Sequence, residues 1–235
     1  MLFSKKKKSN PELGKIIVGG DVGSNIDGYS KLKDNVLFLN ADNTKKVIQI
    51  ESSVKGEGKT TVTCNLAVSL GLTDKKVVVV DLDFHRPRVH QVFEVEKENG
   101  IAEYILGNAS LDGIVKKTNN HNVDVITRGA EVQNAALVFV SEKFKNMIKE
   151  LREKYDYVLL DCAPVLLISD YIHICNVSDG VIFMVAHGST TRAQVKEAVD
   201  ELRKNGADIL GCVFTMYDRK KDKSYSGKSY YGSYY

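Results

Sequence analysis

The chain has 235 residues, of which 43 % are hydrophobic and 27 % are charged, a composition typical of a globular domain with one sizeable core. No apolar stretch approaches the ~18 residues that a membrane-spanning helix needs, and no apolar core follows the lysines at positions 5–8 to make a secretory signal. The four cysteines are widely separated and include no Cys-x-x-Cys pair, which favours reduced thiols over a metal or disulfide set. These features predict a cytosolic protein.

The net charge is only +3, but basic residues gather at the two ends of the chain. Lysines occupy positions 5–8, and residues 217–235 are rich in Lys, Ser, Gly and Tyr and poor in aliphatic residues. Such ends suit an anionic membrane or partner surface, or are simply solvated termini. Because no basic stripe interleaved with aromatic residues runs through the middle, the sequence argues against nucleic-acid binding.

The hydrophobic pattern divides the chain into a flexible basic arm (1–27), an α/β domain (28–216) and a disordered tyrosine-rich tail (217–235). Continuous β-branched runs, such as the four valines at 77–80, are typical of strands buried on both faces. The alternation of strands and helices predicts a doubly wound, mostly parallel sheet, in which ligands bind at the carboxyl ends of the strands. In chain order, the predicted elements are a helix at 29–38, a strand at 47–50, a helix at 60–72, strands at 77–80 and 123–126, a helix at 141–155, strands at 157–160 and 181–186, a helix at 193–204 and a strand at 209–215.

A glycine-containing segment, residues 53–61, joins the first predicted strand to the helix that follows it. In such a loop, backbone N–H groups and the positive helix end converge on an anion. We expect Lys59 to reach the β- and γ-phosphates of a nucleoside triphosphate and Thr60 to hold Mg²⁺. The predicted nucleotide-binding residues are Ser53, which stands where the general motif has Gly, and Gly56, Glu57, Gly58, Lys59, Thr60 and Thr61.

Acidic residues close two of the predicted buried strands: Asp81 and Asp83 follow the valine run, and Asp161 follows the next buried strand. We expect Asp161 to join Thr60 at the metal, and Asp81 to contribute to the metal site and to position or deprotonate an acceptor hydroxyl. One member of the Asp81–Asp83 pair can instead order the loop. The predicted catalytic residues are Lys59, Asp81, Asp83, Asp161 and Arg86, the last as a stabiliser of transition-state charge or else a surface ion-pair partner.

Tyrosines crowd the last eleven residues, separated by Ser, Gly and Lys. Exposed phenolic hydroxyls on a tail are suitable acceptors for phosphoryl transfer, although a sticky aromatic tail used for association is the alternative. The predicted phosphoacceptors are Tyr225, Tyr230, Tyr231, Tyr234 and Tyr235.

Together these features resemble the bacterial tyrosine kinase family that regulates capsule and exopolysaccharide synthesis, over residues 24–235. The family's phosphate loop ends Pro-Gly-Glu-Gly-Lys-Ser/Thr, and residues 55–60 match it except at the proline. Its second motif, Asp-x-Asp-x-Arg-x-Pro-x-x-His, matches residues 81–90 except that His85 takes the arginine position. Its third motif, Asp-x-x-Pro, matches residues 161–164, and the tyrosine-rich end matches too.

The resemblance implies a phosphate-loop domain of the partitioning and site-selection ATPase type that uses ATP and Mg²⁺ and phosphorylates its own tail in trans. It implies a ring-shaped homo-oligomer, loosened by phosphorylation, and a cognate tyrosine phosphatase. It also implies a transmembrane polysaccharide co-polymerase as adaptor, whose cytosolic segment activates the kinase and recruits it to the inner face of the cell membrane.

The chain departs from the family pattern at several places. The family's ring contact uses Glu-x-x-Arg-x-x-Arg, where this chain has Asp27, Ser30 and Lys33. Thr215 replaces an Asn that lies near the adenine base in the family. Two rival interpretations stay open: a non-catalytic ATP-binding scaffold of the polysaccharide assembly complex, and a positioning ATPase, whose extra loop lysine corresponds here to Val54.

Overall fold

A computed structural model of the protein describes residues 25–217, and its described strands form one seven-stranded sheet. The strand order is β3-β4-β2-β5-β1-β6-β7, and every neighbouring pair is parallel except the antiparallel β3 and β4. This arrangement confirms the predicted mostly parallel α/β fold. The strands are β1 (Val47–Ser52), β2 (Val77–Asp81), β3 (Val115–Lys117), β4 (Val123–Ile126), β5 (Tyr157–Asp161), β6 (Gly180–Ala186) and β7 (Ile209–Thr215).

Helices cover both faces of the sheet. Their ends follow local signals: α9, for example, begins after Thr191, whose Oγ1 accepts the N–H of Gln194 at 3.2 Å while the Gln194 amide oxygen accepts the N–H of Thr191 at 3.0 Å. The described helices are α1 (Asn25–Leu39), α2 (Lys59–Gly71), α3 (Val89–Val92), α4 (Ile101–Leu106), α5 (Leu111–Ile114), α6 (Ala135–Val140), α7 (Glu142–Lys154), α8 (Tyr171–Cys175) and α9 (Arg192–Lys204).

The central strands are buried on both sides, as the unbroken apolar runs predict. In β2, Val77 and Val79 pack into the core shared with α1 and α2, whereas Val78 and Val80 pack into the core shared with α6 and α7. All four valines are fully buried. Because successive side chains point to opposite faces, only a continuous β-branched run can fill both cores from one strand.

Each strand and helix predicted from the sequence is present, with ends that differ by a few residues. The short elements α3 to α6, α8 and β3 were not predicted, because none is long enough to show a period in the sequence. Helix α1 begins at Asn25, inside the arm predicted for residues 1–27. The rest of that arm and the tail tyrosines lie outside the described residues. Within residues 25–217, no helix has the length and apolarity to span a membrane.

Candidate active site

The register of the sheet brings the two strand-end carboxylates together. Strand β2 pairs with β5 so that Asp81 lies opposite Asp161, and β1 pairs with β5 so that Ile50 is opposite Asp161. The loop that follows β1 therefore starts beside both carboxylates. This edge, where the parallel strands end, is the position at which α/β sheets bind ligands.

Two glycines shape the loop between β1 and α2. Gly56 and Gly58 have φ angles of 82° and 87°, a left-handed conformation that other residues rarely adopt. A side chain at Gly58 would also meet Thr215 Cγ2 at 3.4 Å. The loop ends where α2 begins, at Lys59, so the N–H groups of the first helical turn face the same space as the N–H groups of the loop.

Lys59 is held beneath the loop and points toward its interior. Its side chain is almost entirely buried, and its Nζ donates to Ser52 Oγ at 2.8 Å. Ser52 Oγ in turn donates to the carbonyl of Val54 at 2.9 Å. Lys55, four positions earlier, is exposed. Of the two loop lysines, only Lys59 is placed as a cation for a bound phosphate.

Glu57 ties the loop to the neighbouring strand. Its carboxylate accepts the N–H of Val54 at 2.7 Å, the N–H of Ala186 at 3.3 Å and the hydroxyl of Thr190. Because these contacts occupy the Glu57 carboxylate inside the protein, only the backbone of Glu57 is left to contact a bound nucleotide. Ser53 is buried and its Oγ has no hydrogen-bond partner, while Thr61 is half-buried on α2.

Thr215, at the end of β7, supports the loop from the side. Its Oγ1 donates to the carbonyl of Glu57 at 2.7 Å. We expect Thr215→Val to weaken nucleotide affinity several-fold, about 1 kcal/mol, because that carbonyl loses its donor and the loop loosens. Isothermal titration would measure this. Thr73→Val is the matched control, since its Oγ1 makes the same kind of bond to Leu70 O at 2.8 Å at the other end of α2; equal weakening by both variants would contradict the role of Thr215.

Thr60 and Asp161 meet in the space below the loop. Thr60 Oγ1 donates to Asp161 Oδ2 at 2.7 Å, and Thr63 Oγ1 lies 3.5 Å from Asp161 Oδ1. Burial raises the pKa of Asp161 to about 6, against the opposing effect of the Thr60 hydrogen bond and of Lys59. The structure thus brings together the Thr60 hydroxyl and the Asp161 carboxylate, the two groups that the sequence predicts at one metal.

Asp81 is fully buried beside Asp161, and only one of its two carboxylate oxygens accepts a hydrogen bond. Its Oδ2 accepts the N–H of Val89 at 3.1 Å, whereas Oδ1 is buried without a partner. Burial, and then the nearby charge of Asp161, raise the pKa of the Asp81 carboxyl well above its usual range. An unpaired buried carboxylate oxygen is costly, so its presence here marks a position built to receive a cation or a proton.

The oxygen donors at this edge fit Mg²⁺. Thr60, Asp81 and Asp161 offer a hydroxyl and two carboxylates, the hard ligands that this ion prefers. No group of three or more His, Cys, Asp and Glu residues suited to a metal occurs within residues 25–217. Mg²⁺ at a nucleotide is usually held by one or two carboxylates together with phosphate oxygens and water, so this donor set is sufficient.

The loop after Asp81 is ordered by Asp83. Its Oδ1 accepts the N–H groups of His85 at 3.2 Å and Arg86 at 2.9 Å, the turn-forming role weighed for one member of the acidic pair. Arg86 and His85 are exposed at the surface of the loop. A further residue, Arg128, supports the same loop and was not indicated by the sequence. It is buried after β4, and its Nη1 donates to the Phe84 carbonyl at 3.0 Å.

Glu51 is a second buried polar residue near the site that the sequence did not indicate, although an acid within an apolar strand is a visible signal. It is fully buried in β1, accepts from Gln49 Nε2 at 2.6 Å and leaves Oε2 without a partner. Burial raises its pKa to about 8, against the Gln49 hydrogen bond and the attraction of Lys59. The folded protein therefore holds a proton here that the unfolded chain has released.

Because the pKa of Glu51 is higher in the folded protein than in the unfolded chain, the free energy of unfolding that Glu51 contributes falls as pH rises from about 4.5 to about 8. We expect the unfolding free energy of Glu51→Gln, relative to that of the unmodified protein, to be greater at pH 8 than at pH 5 by about 3 kcal/mol. Urea denaturation at the two pH values measures this difference. The exposed Glu142→Gln is the control and should show no such trend; a pH-independent effect of Glu51→Gln would contradict the assignment.

Comparisons with known proteins decide the family. A family model described as an AAA domain matches residues 45–205. Tyrosine-protein kinase YwqD of Bacillus subtilis (strain 168) is 30 % identical over 233 residues, which cover 99 % of this chain and 97 % of that protein. The chain belongs to the AAA-domain family and to the bacterial tyrosine-protein kinases.

Solved structures agree with this family assignment. The BceF tyrosine kinase domain is 26 % identical, with a TM-score of 0.74 over 80 % of this chain and 76 % of that chain. The septum site-determining protein MinD of Pyrococcus horikoshii OT3, complexed with Mg-ADP, is 29 % identical, with a TM-score of 0.65 over 75 % of this chain and 72 % of that one. The tyrosine-protein kinase fold is thus shared with MinD-type ATPases, as the sequence predicted.

Proposed function

We propose that this tyrosine-protein kinase transfers the γ-phosphoryl group of ATP to tyrosines of its own C-terminal tail in trans, and so regulates capsule or exopolysaccharide synthesis and export. The observation that carries the proposal is the convergence of Lys59, Thr60, Asp81 and Asp161 at one edge of the sheet. Phosphoryl transfer needs cations around the phosphates and an acceptor hydroxyl in line with the bond that breaks. At this edge, Lys59 and a metal held by the threonine and the carboxylates would supply the positive charge, and Asp81 would position the acceptor.

Each residue has a distinct part in the proposed reaction. Lys59 and the N–H groups of the loop bind the phosphates, and Thr60, Asp81 and Asp161 would hold Mg²⁺, which would neutralise phosphate charge when bound. The tyrosine oxygen attacks the γ-phosphorus, the bond from that phosphorus to the bridging oxygen breaks, and ADP leaves. Asp81 accepts the phenolic proton as the new bond forms. Asp83 orders the loop that follows Asp81, and Arg86 stabilises transition-state charge.

The tail and the partners follow from the resemblance of the sequence to its family. We propose Tyr225, Tyr230, Tyr231, Tyr234 and Tyr235 as acceptors, delivered by a neighbouring subunit of a ring. We also propose that a transmembrane polysaccharide co-polymerase activates the kinase at the inner membrane face and that a tyrosine phosphatase reverses the modification. Helix α1 presents Asp27 and Ser30 at its exposed surface, where the family makes its ring contact.

Mass spectrometry of the full chain after incubation with ATP and Mg²⁺ tests the proposal, with and without a candidate adaptor segment. We expect phosphotyrosine within residues 225–235. A chain lacking residues 224–235 should bind ATP unchanged and lose these sites. Loss of ATP binding on truncation would contradict the division between the site and the tail.

The related positioning ATPases supply the second candidate function, favoured by the likeness to MinD. The position that corresponds to their extra lysine is the half-buried Val54, and Lys55 is exposed beside it. Release of free phosphate without phosphotyrosine, in the same experiment, would establish that function instead. ATP binding with neither product would indicate a scaffold.

A further inference from the structure

An apolar groove runs between α1 and the edge strand β7, on the side of the sheet that carries α2. It has a volume of about 240 Å³, and its walls include Leu32 and Val36 of α1 and Leu210 and Val213 of β7. Phe38 stands at its rim with 83 % of its surface exposed. Exposed apolar surface of this kind on a globular domain usually marks a place where another segment packs.

The strand that forms one wall of the groove is also an open edge. Among the described residues, β7 pairs with β6 on one side and with no strand on the other. Open edges offer unpaired N–H and C=O groups, and proteins usually cover them or blunt them with charge or proline. Strand β7 has the sequence Ile-Leu-Gly-Cys-Val-Phe-Thr, which contains neither proline nor a charged side chain.

The chain carries a suitable cover just before α1. Residues 16–18 are Ile-Ile-Val, the only run of three β-branched residues in the first 24. Such residues favour strands, and in a strand Ile16 and Val18 lie on one face, with the spacing to fill an apolar groove. Gly19, Gly20 and Gly23 follow, which lets the chain reverse direction before the helix begins.

The connection is long enough for this segment to reach the groove. Residues 19–24 extend to roughly 20 Å at ~3.3–3.6 Å per residue. The groove-lining part of α1 begins at Leu32, about 10 Å along the helix from Asn25 at 1.5 Å per residue. A segment that folds back along α1 therefore reaches the part of the groove between Leu32 and Val36, whereas the far end at Leu39, about 21 Å along the helix, lies at the limit of that span.

We propose that residues 16–18 add a strand to the free edge of β7, with Ile16 and Val18 filling the groove between α1 and β7. The main chain supplies hydrogen bonds to the edge and the two side chains supply apolar contact, the usual division in strand addition. The docked arm covers the edge against association with other chains. This interaction is independent of the phosphotransfer chemistry proposed above.

Cys212 provides a probe of whether the free edge of β7 is covered. Cys212 lies in β7, and because it pairs with Phe183 its side chain is on the opposite face of the sheet from Val213 and the groove. A strand added to the edge would lie beside both faces of β7, with Ile17 on the side of Cys212. Cys212 is exposed within residues 25–217, whereas Cys64, Cys162 and Cys175 are buried. In the native protein, an alkylating reagent should therefore modify Cys212 first of the four. A docked arm would shield this thiol, and its removal would release it.

The experiment compares the rate of Cys212 alkylation, followed by peptide mass spectrometry, in three full-length proteins. These are the unmodified chain, the variant Ile16→Asp/Val18→Asp, and the matched control Ser9→Asp/Asn10→Asp, which adds the same charge to the arm outside the apolar run. We expect alkylation to be at least ~10-fold faster in the first variant and unchanged in the control. Hydrogen exchange of the β7 amides should speed up in the same variant alone.

Equal alkylation rates in the three proteins, with equal exchange at β7, would overturn the proposal. Protection of Cys212 that grows with protein concentration would overturn it as well, since it would show that a second copy covers the edge of β7. Thermal melting of all three proteins checks that the substitutions leave the domain folded.

Discussion

Replacing Lys59 by methionine should lower the rate of tyrosine phosphorylation by about 10³-fold. The ammonium group lies in the loop interior, 2.8 Å from Ser52 Oγ, and no other lysine of the described loop is buried there. Methionine keeps most of the side-chain volume but removes the charge that stabilises the phosphates as the bond to the γ-phosphoryl group breaks. Single-turnover transfer from labelled ATP to the tail measures the rate.

Lys55→Met is the matched control for this substitution. It removes a lysine from the same loop, but that lysine is exposed whereas Lys59 is buried. We expect it to change the rate less than threefold, an effect typical of a screened surface charge. Equal losses in the two variants would show that net loop charge matters and that the position of Lys59 does not. An active Lys59→Met protein would contradict the proposed site.

The second large effect is expected for Asp81→Asn, with opposite signs for activity and stability. Transfer should fall by 10²- to 10³-fold, because the site loses a metal ligand and the group that takes the tyrosine proton. The nucleotide-free protein should become about 1 kcal/mol more stable, since one of two adjacent buried carboxylates is removed. The asparagine oxygen still accepts the N–H of Val89, so the local hydrogen bond is retained.

Asp83→Asn is the comparison for that variant. Asp83 is half-buried and orders a turn through the N–H groups of His85 and Arg86, which an amide oxygen also accepts. We expect little change in melting temperature and a loss of transfer below tenfold. Calorimetry without nucleotide and a transfer assay with Mg²⁺ give the two readouts. If Asp81→Asn lowers the melting temperature, the raised pKa of Asp81 has been misassigned, and if it transfers normally, Asp81 has no catalytic part.

Much of the fold could be predicted from the sequence because its signals are local. The valines at 77–80 and the apolar run at 157–160 required strands buried on both faces, and the structure places them at the centre of the sheet. The loop from Ser53 to Thr60 could be recognised because glycine, lysine and threonine serve separate chemical needs at fixed spacings. The short helices escaped prediction, since four to six residues carry no measurable period.

The supporting residues of the site could not be predicted in the same way. Glu57 contacts Thr190, and Thr215 contacts Glu57, across more than 130 positions of chain. Arg128 reaches Phe84 from a different strand end. Nothing in the neighbouring sequence of these residues records their partners, because the partners meet only after the sheet has formed.

By itself, the sequence determined that this protein is an α/β phosphate-loop domain with a cationic loop and strand-end carboxylates, because periodicity and motif spacing are properties of neighbouring residues. The tertiary structure alone decided how these groups act together. Parallel pairing of β2 with β5 sets Asp81 against Asp161, and their shared burial raises both pKa values. It also decided that β7 is an open edge beside an apolar groove, since strand order depends on how the whole chain packs.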